Sequence, residues 1–308
     1  MQKCKFANLT DPDGWAGTTS REVAKDLGIG KSSVNDHRSG TCVCFRSKIH
    51  KIHPKAAKHL KVLTIDVENS PNVVHTWGLY NQNIGINQIV TPATTFGVGY
   101  KWYHEDEAHF LGDHEHGHEE MVRLTHELLT EADIVIGFNQ TSFDLPHLGR
   151  EFVLAGLNPP APYRQVDLLK VARKQFKFSS NKLDWLAQQF GLGAKTSHEG
   201  HTLWVKCMEG DPEAWAKMAE YCRQDVALTE KLYDRLRSWI PNHPHISMFS
   251  GKDWGCPNCG EADVSRDIKG EAFTNTQRYP MYQCRSCGTW IRSTRKLNNS
   301  TKTRVVRA

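Results

Sequence analysis

Lys61-Val62-Leu63-Thr64-Ile65-Asp66-Val67-Glu68 is the stretch on which the fold turns. It is short, rich in β-branched residues and closed by Asn69-Ser70-Pro71, so it reads as a buried strand ending in a turn. Strand side chains alternate with period two, which puts Asp66 and Glu68 on one face, about 7 Å apart. Carboxylates inside an apolar run are costly unless they are paired or hold a cation. Two of them in step along one strand suit hard cations, which take oxygen ligands. Taken alone, the same pattern also describes a strand end whose acids face water.

Two further segments carry the same anomaly. Ala132 to Phe138 reads as a second buried strand running into Asn139-Gln140-Thr141-Ser142-Phe143-Asp144. Asn139 and Ser142 are helix N-cap types, and a helix is expected through Leu148, Phe152 and Val153 towards Gly156. Asp144 then lies in the first turn, where the helix dipole favours an acid; the plain alternative is a capping acid. From Pro212 to Trp239 one long helix is expected, because Ala214, Met218, Tyr221, Cys222, Asp225, Leu228, Leu232 and Leu236 recur at three- and four-residue steps. Tyr221 and Asp225 are four apart and share a face, so an acid interrupts an apolar stripe.

In order and spacing, these segments resemble the Exo I, Exo II and Exo III motifs of the DnaQ-like (DEDDy) 3′→5′ exonucleases, over about Lys61 to Trp239. Ser180-Asn181-Lys182-Leu183-Asp184-Trp185-Leu186-Ala187 is similar to the exonuclease domains of family B DNA polymerases. The chain as a whole resembles stand-alone, phage-encoded polymerase exonuclease subunits. The resemblance implies an α/β fold with a ribonuclease H-like mixed sheet flanked by helices. It also implies hydrolysis at DNA 3′ ends with two Mg²⁺ or Mn²⁺ ions held by Asp66, Glu68, Asp144 and Asp225. In that scheme Asp66 bridges both ions, and Glu68 and Asp225 complete the site of the attacking water. Asp144 supports the second ion, and Tyr221 orients the water. Asn139, Phe143 and Lys182 are candidate substrate contacts. The implied partners are DNA, as single strands or frayed 3′ ends, and a replicative DNA polymerase. Two other readings stay open: a 3′→5′ exoribonuclease, and a non-catalytic nucleic-acid-binding regulator on the same scaffold.

Two features outside those motifs attract a metal reading. His104, His109, His114, His116 and His118 crowd an acidic stretch, for which a solvated turn leading into a helix is the simpler expectation. Asp167, in Val166-Asp167-Leu168, reads as a helix cap.

Charge divides the chain. Residues 61–240 hold 17 Lys/Arg and 24 Asp/Glu, a net of −7, whereas residues 1–60 and 241–308 are each +6. An acidic centre fits a cation site and would repel a polyanion, so the basic flanks are the expected carriers of phosphate affinity. Residues 1–40 contain a segment, Thr18 to Arg38, that resembles a helix-turn-helix, with Ala24 at the crossing and Gly28 in the turn. In the linker 41–60, Cys42, Cys44, His50 and His53 form a weak zinc pattern. Cys256-Pro257-Asn258-Cys259 and Cys284-Arg285-Ser286-Cys287 form a strong one. They are two C-x₂-C pairs, each followed by glycine, in an expected ribbon over 250–291 with one structural Zn²⁺. A basic tail, 292–308, follows. No apolar run approaches the ~20 residues that span a bilayer. Nine cysteines without a secretory pattern disfavour a disulfide framework, so no membrane partner and a cytoplasmic setting (that of the host, if phage-encoded) are expected.

Overall fold

The computed structural model describes residues 60–194, 199–249, 254–261 and 270–297, together with Lys25. The expected helix-turn-helix, the Cys42/Cys44/His50/His53 group and the tail beyond residue 297 lie outside the described residues. Ala57–His243 form one compact unit, and residues from Pro244 onward fall in a second.

The first unit opens with β1 (Val62–Asn69), a two-stranded arm of β2 (Val73–Val74) and β3 (Ile89–Thr91), then β4 (Thr95–Trp102) and β5 (His109–Gly112). Helices α1 (Asp113–His116) and α2 (His118–Glu131) lead to β6 (Ile134–Gly137), α3 (Asp144–Leu154) and β7 (Arg164–Asp167). Four helices complete it: α4 (Leu168–Gln175), α5 (Leu183–Phe190), α6 (His201–Met208) and α7 (Pro212–Leu236). The sheet order is β5-β4-β1-β6-β7, with β4 and β5 antiparallel and β6 and β7 parallel to their neighbours. This is the mixed sheet flanked by helices expected from the sequence.

β1 lies at the centre because its Val-Leu-Thr-Ile run can be covered on both faces. Leu63, Ile65 and Val67 pack with Met121, Val122 and Leu129 of α2 and Leu148 and Phe152 of α3. By alternation, Thr64, Asp66 and Glu68 face the other side. That side is covered by α6 and α7, whose Leu203, Cys207, Trp215, Met218 and Cys222 cluster with Phe96 and Phe110.

α7 begins where Asp211 accepts the N–H groups of Glu213 and Ala214, with Pro212 in the first turn. Its α-helical part ends at Leu236. Arg237–Trp239, expected to continue it, tighten into a 3₁₀ turn. The histidine-rich stretch also departs from expectation. His109–Gly112 is the edge strand rather than a solvated turn, because Phe110 and Leu111 are buried against β4 and the core. The arm between β1 and β4 exposes Trp77, Leu79, Tyr80 and Ile86, in a stretch with no Asp, Glu, Lys or Arg from Asn69 to Tyr100.

Of the two glycines at alternate positions of β4, Gly99 sets how closely α7 approaches, and Gly97 makes room for the Phe110 ring of β5. Gly97 lies opposite Glu68 and Gly99 opposite Asp66. A Cβ at Gly99 would stand 3.0 Å from both the Cβ and the carbonyl oxygen of Cys222 and 3.1 Å from Val226. Gly99→Ala removes backbone freedom from the unfolded chain, a gain of about 0.4–1 kcal/mol. Overpacking against helix backbone costs about 1–3 kcal/mol, so the clash wins. Urea unfolding of Gly99→Ala is expected to show a net loss of stability; an unchanged midpoint would mean that α7 is not held this close.

The second unit contains β8 (Gly270–Phe273), β9 (Arg278–Gln283) and β10 (Trp290–Arg292), paired antiparallel in the order β10-β9-β8. Its two cysteine turns close through Gly260 N–H to Cys256 O and Gly288 N–H to Cys284 O, each at 2.9 Å. Both glycines have positive φ (75° and 70°), which explains the glycine after each C-x₂-C pair.

Candidate functional site

Asp66 and Glu68 sit at the C-terminal end of the central strand, partly exposed where Val62 to Ile65 and Val67 are buried. In sheets of this kind ligands gather outside the carboxyl ends of the parallel strands. Asp144 reaches the same place from α3. Its Oδ1 accepts the N–H of Val67 at 2.9 Å, so its carboxylate is fixed to the strand between the two acids. It does not cap its own helix through its side chain; the N-cap position is Phe143, without a side-chain bond. Burial pushes Asp144 up to about 7, against N–H bonds from its own backbone and Val67, and the nearby Asp167 charge adds to the rise.

α7 brings Tyr221 and Asp225 over this strand end. Tyr221 is raised above the ordinary phenol range, first by burial and then by the carboxylates of Asp225, Glu68 and Asp66, with a hydrogen bond to Asp225. The phenol therefore stays protonated and can donate. Its neighbour Cys222 is raised by burial and by the same three acids. α6 supplies a residue that sequence reasoning missed: Trp204 Nε1 donates to Glu68 Oε2 at 3.2 Å, and its ring lies edge-on to Tyr221 at 6.1 Å. Nothing local to Trp204 signals this, since the contact spans 136 residues. The close approach at Gly97 and Gly99 was also missed, although glycines in step along a strand are a readable sign of it.

The loop that delivers Asp144 is held from beneath. Asn139 has a positive φ of 73°, and its N–H donates to Asp167 Oδ1. Asp167 also accepts from Thr141 Oγ1 at 2.6 Å and caps α4 through the N–H groups of Leu169 and Lys170. Asp167 is therefore a cap, as expected, and it ties the loop to β7 as well. Buried Gln140 donates to the carbonyls of Val135 and Val166. Phe143 is exposed, with its ring against His147, and so is not core. Lys182 is exposed at the start of α5, and no described contact joins it to the acids.

Among the described residues, the only group of three or more His, Cys, Asp or Glu side chains with all ligand atoms within 4.8 Å is Cys256, Cys259, Cys284 and Cys287. Their sulfurs are 3.6 Å (Cys256–Cys287) and 3.8 Å (Cys259–Cys284) apart. That is too far for disulfides, at about 2.05 Å. It matches the roughly 3.8 Å edge of a tetrahedron with Zn–S bonds of about 2.3 Å. Asn258 adds a backbone N–H to Cys256 Sγ and a side-chain N–H to Cys287 Sγ. Bonds from the neighbouring thiols hold Cys287 below the ordinary thiol range and Cys256 above it. The quartet fits one structural zinc, with no open position.

The acid set is a different kind of site. Two cations about 4 Å apart spread their ligands over a wider space than one ion does, so the four carboxylates need not meet within a single shell. Their chemistry fits: all are hard oxygen donors, and at Asp144 burial favours a retained proton that a divalent cation would displace. For Asp144 the sign is fixed by the direction of its shift. The folded protein keeps a proton that the unfolded chain has lost between about pH 4 and pH 7. The stability this contributes is present below that window and lost as pH rises through about 7. Cation and proton compete for the carboxylate, so the rise in Tm on adding Mg²⁺ should be larger at pH 8 than at pH 5. Equal rises at the two pH values would contradict a cation at Asp144.

Comparison with known proteins places these features in context. The profile of the RNase_H superfamily matches residues 84–237, a span that includes Asp144, Tyr221 and Asp225 and begins after β1. The chain is 25% identical over 154 residues to the DNA polymerase delta catalytic subunit of Oryza sativa subsp. japonica, covering 39% of this chain and 14% of that protein. With the same subunit from Candida albicans the figures are 24% over 169 residues, 43% and 16%. The chain thus spans about a seventh of the length of the curated relatives it matches. The solved family B DNA polymerase of Pyrobaculum calidifontis aligns over 73% of this chain and 33% of its own, at 16% identity and a TM-score of 0.47.

Proposed function

Because this chain belongs to the RNase_H superfamily, we propose that it is a divalent-metal-dependent 3′→5′ exonuclease of the DEDDy type acting on DNA. The observation that carries this reading is the Val67 N–H bond to Asp144, which sets a third carboxylate between Asp66 and Glu68 where the charges of Asp66, Glu68 and Asp225 all bear on Tyr221. The nuclease domain in this reading is 61–240, with the zinc ribbon at 250–291.

When bound to Asp66, Glu68, Asp144 and Asp225, two Mg²⁺ or Mn²⁺ ions would supply Lewis-acid charge at the phosphate and acidify the attacking water. The residues of the chain do the rest. A water oxygen bonds to phosphorus, the P–O3′ bond breaks, and a nucleoside 5′-monophosphate leaves behind a strand with a new 3′ hydroxyl. Tyr221, kept protonated by burial and by the acids around it, donates a hydrogen bond that orients the water and is not the base. Trp204 holds Glu68 from the side opposite the strand. Asp167 fixes the loop from which Asp144 projects. The half-exposed Phe143 ring beside that loop is placed for a terminal base.

The curated relatives are DNA polymerase catalytic subunits, and this chain spans only a fraction of their length. That supports work on replication 3′ ends, proofreading or trimming for a separate polymerase, in the phage setting suggested by the sequence. The test is a time course on 5′-labelled single-stranded DNA, frayed duplex and RNA with Mg²⁺. The expected result is a ladder shortening from the 3′ end on DNA, with 5′-monophosphates released. Internal cuts, or faster trimming of RNA, would reject the assignment.

A further inference from the structure

Residues 61–240 carry a net charge of −7, yet one stretch inside them runs the other way. From Leu168 to Leu183 there are five cations (Lys170, Arg173, Lys174, Lys177 and Lys182) and no Asp or Glu, whereas the rest of 61–240 holds 12 Lys/Arg against 24 Asp/Glu. All five are exposed. Elsewhere in the unit surface cations meet acids: Lys61 lies 2.7 Å from Glu131, and Lys206 and Lys217 lie 2.7 and 3.3 Å from Glu199. Among the described residues, none of the five is in an ion pair. The acids that flank the stretch are occupied, since Asp167 caps α4 and holds Thr141, and Asp184 accepts from Gln188 at 2.7 Å.

The fold gathers these cations on one side of α4. That helix buries Leu168, Leu169, Val171 and Ala172, so Lys170, Arg173 and Lys174, at three- and four-residue steps, share its outer face. Just past its end, Phe176 packs on Trp239 at 5.4 Å, and Phe178 packs on Trp185 and Phe190 at 6.1 and 5.7 Å. Lys177, between the two anchored rings, is left exposed. Helix stability does not account for the set. Arg173 and Lys174 in the last turn suit the helix dipole, but Lys170 is in the first turn, where a cation is unfavourable. Lys170 also follows the carboxyl end of β7, where Asp167 holds the loop that carries Asp144. In the sheet β7 is two strands from β1, about 10 Å.

We propose that this face of α4, with Lys177 beyond it, binds the phosphates of a nucleic-acid strand a few nucleotides from the 3′ end being hydrolysed. Phosphate binding rests on the charge pattern alone, and its place on the path to a cleaved 3′ end rests on the nuclease reading. A row of unpaired, flexible cations suits a polyanion with regularly spaced charges. The half-exposed Trp239 ring beside Phe176 adds a surface on which a base can stack, which favours nucleic acid over an acidic peptide.

The test is fluorescence anisotropy of the full chain with 5′-labelled oligo-dT and oligo-rU over a range of salt, with no added divalent cation. Lys170→Gln/Arg173→Gln/Lys174→Gln should weaken binding at least about tenfold and lower the salt slope by about 2, the value for three phosphates of a single strand. Lys206→Gln/Lys217→Gln removes two paired cations of the same unit and should leave the slope as it is. An unchanged slope in the triple variant, or an equal fall per charge in the paired control, would overturn the proposal. Poly-glutamate that displaces the oligonucleotide equally well, charge for charge, would overturn it in favour of an acidic protein segment. A second measurement needs no variant: acetylation of wild-type lysines with and without saturating oligonucleotide, read by mass spectrometry. Protection of Lys170, Lys174 and Lys177 is expected, and unchanged modification of all three overturns the proposal. Preference for dT or rU identifies the source of the strand, and either fits the phosphate chemistry. With Mg²⁺, the triple variant should raise KM for long strands about tenfold and leave kcat unchanged. An unchanged KM would remove this face from the path to the 3′ end. Protection of the lysines in a protein that cleaves nothing would count against the nuclease reading alone.

Discussion

Asp66→Ala and Asp225→Ala are each expected to slow 3′-end hydrolysis by at least about a thousandfold, about 4 kcal/mol of transition-state stabilisation. Neither should lower the Tm of the metal-free protein. The two halves of that expectation have one cause. The charges of Asp66, Glu68 and Asp225 converge on Tyr221 and Cys222, so removing one lightens the negative charge crowded at this place while deleting a proposed cation ligand. Sites kept for chemistry often cost stability in this way. Asp234 provides the contrast. It is buried, accepts from Arg237 Nη1 at 2.5 Å and from Tyr103 Oη at 2.7 Å, and removing it takes the carboxylate away from a buried guanidinium. Asp234→Ala should therefore cost about 3–5 kcal/mol of stability. Undiminished turnover in Asp66→Ala, or a Tm loss like that of Asp234→Ala, would sink the site assignment.

The other large effect is expected at the cysteines. Among the described residues, a buried cluster of the second unit consists of Cys256, Cys259, Tyr282 and Cys284, with Cys287 and Ile291 packed on it, so most of that cluster is the ligands themselves. So small a cluster cannot offset the entropy of ordering three short strands. Structural zinc sites in comparable peptides contribute apparent binding energies of about 10–16 kcal/mol. Cys259→Ser or Cys284→Ser should lose stoichiometric zinc and the hydrogen-exchange protection of β8, β9 and β10. Protection in β1 and α7, which belong to the other unit, should persist. Retained protection in the second unit after verified zinc loss would show that the ribbon holds itself together by other means.

The sheet and its acids were legible where a polar residue breaks an apolar pattern. Asp66 and Glu68 in a β-branched run, and Asp225 on a helical stripe, are anomalies of local sequence, and both elements form, the helix ending at Leu236 rather than Trp239. The cysteine pairs were equally plain, because glycine at positive φ after each pair is a local requirement. What escaped is what depends on distant partners. Trp204 looks like any helix aromatic until α6 is laid beside β1. Gly97 and Gly99 carry a readable period, but only the positions of the Phe110 ring and of α7 give it meaning. Asn139 looked like a cap, yet its left-handed backbone and its bond to Asp167 make it a turn residue. His109–Gly112 was misread because acidic and histidine neighbours mask two core residues, Phe110 and Leu111, that fix it as an edge strand.

The central claim is that carboxylates far apart in sequence hold paired divalent cations at the end of β1. Its most direct measurement is anomalous diffraction from crystals soaked in Mn²⁺. Two manganese peaks about 4 Å apart, within bonding distance of Asp66, Glu68, Asp144 and Asp225 oxygens, are the predicted result. An ordered map with no manganese at these side chains would contradict it.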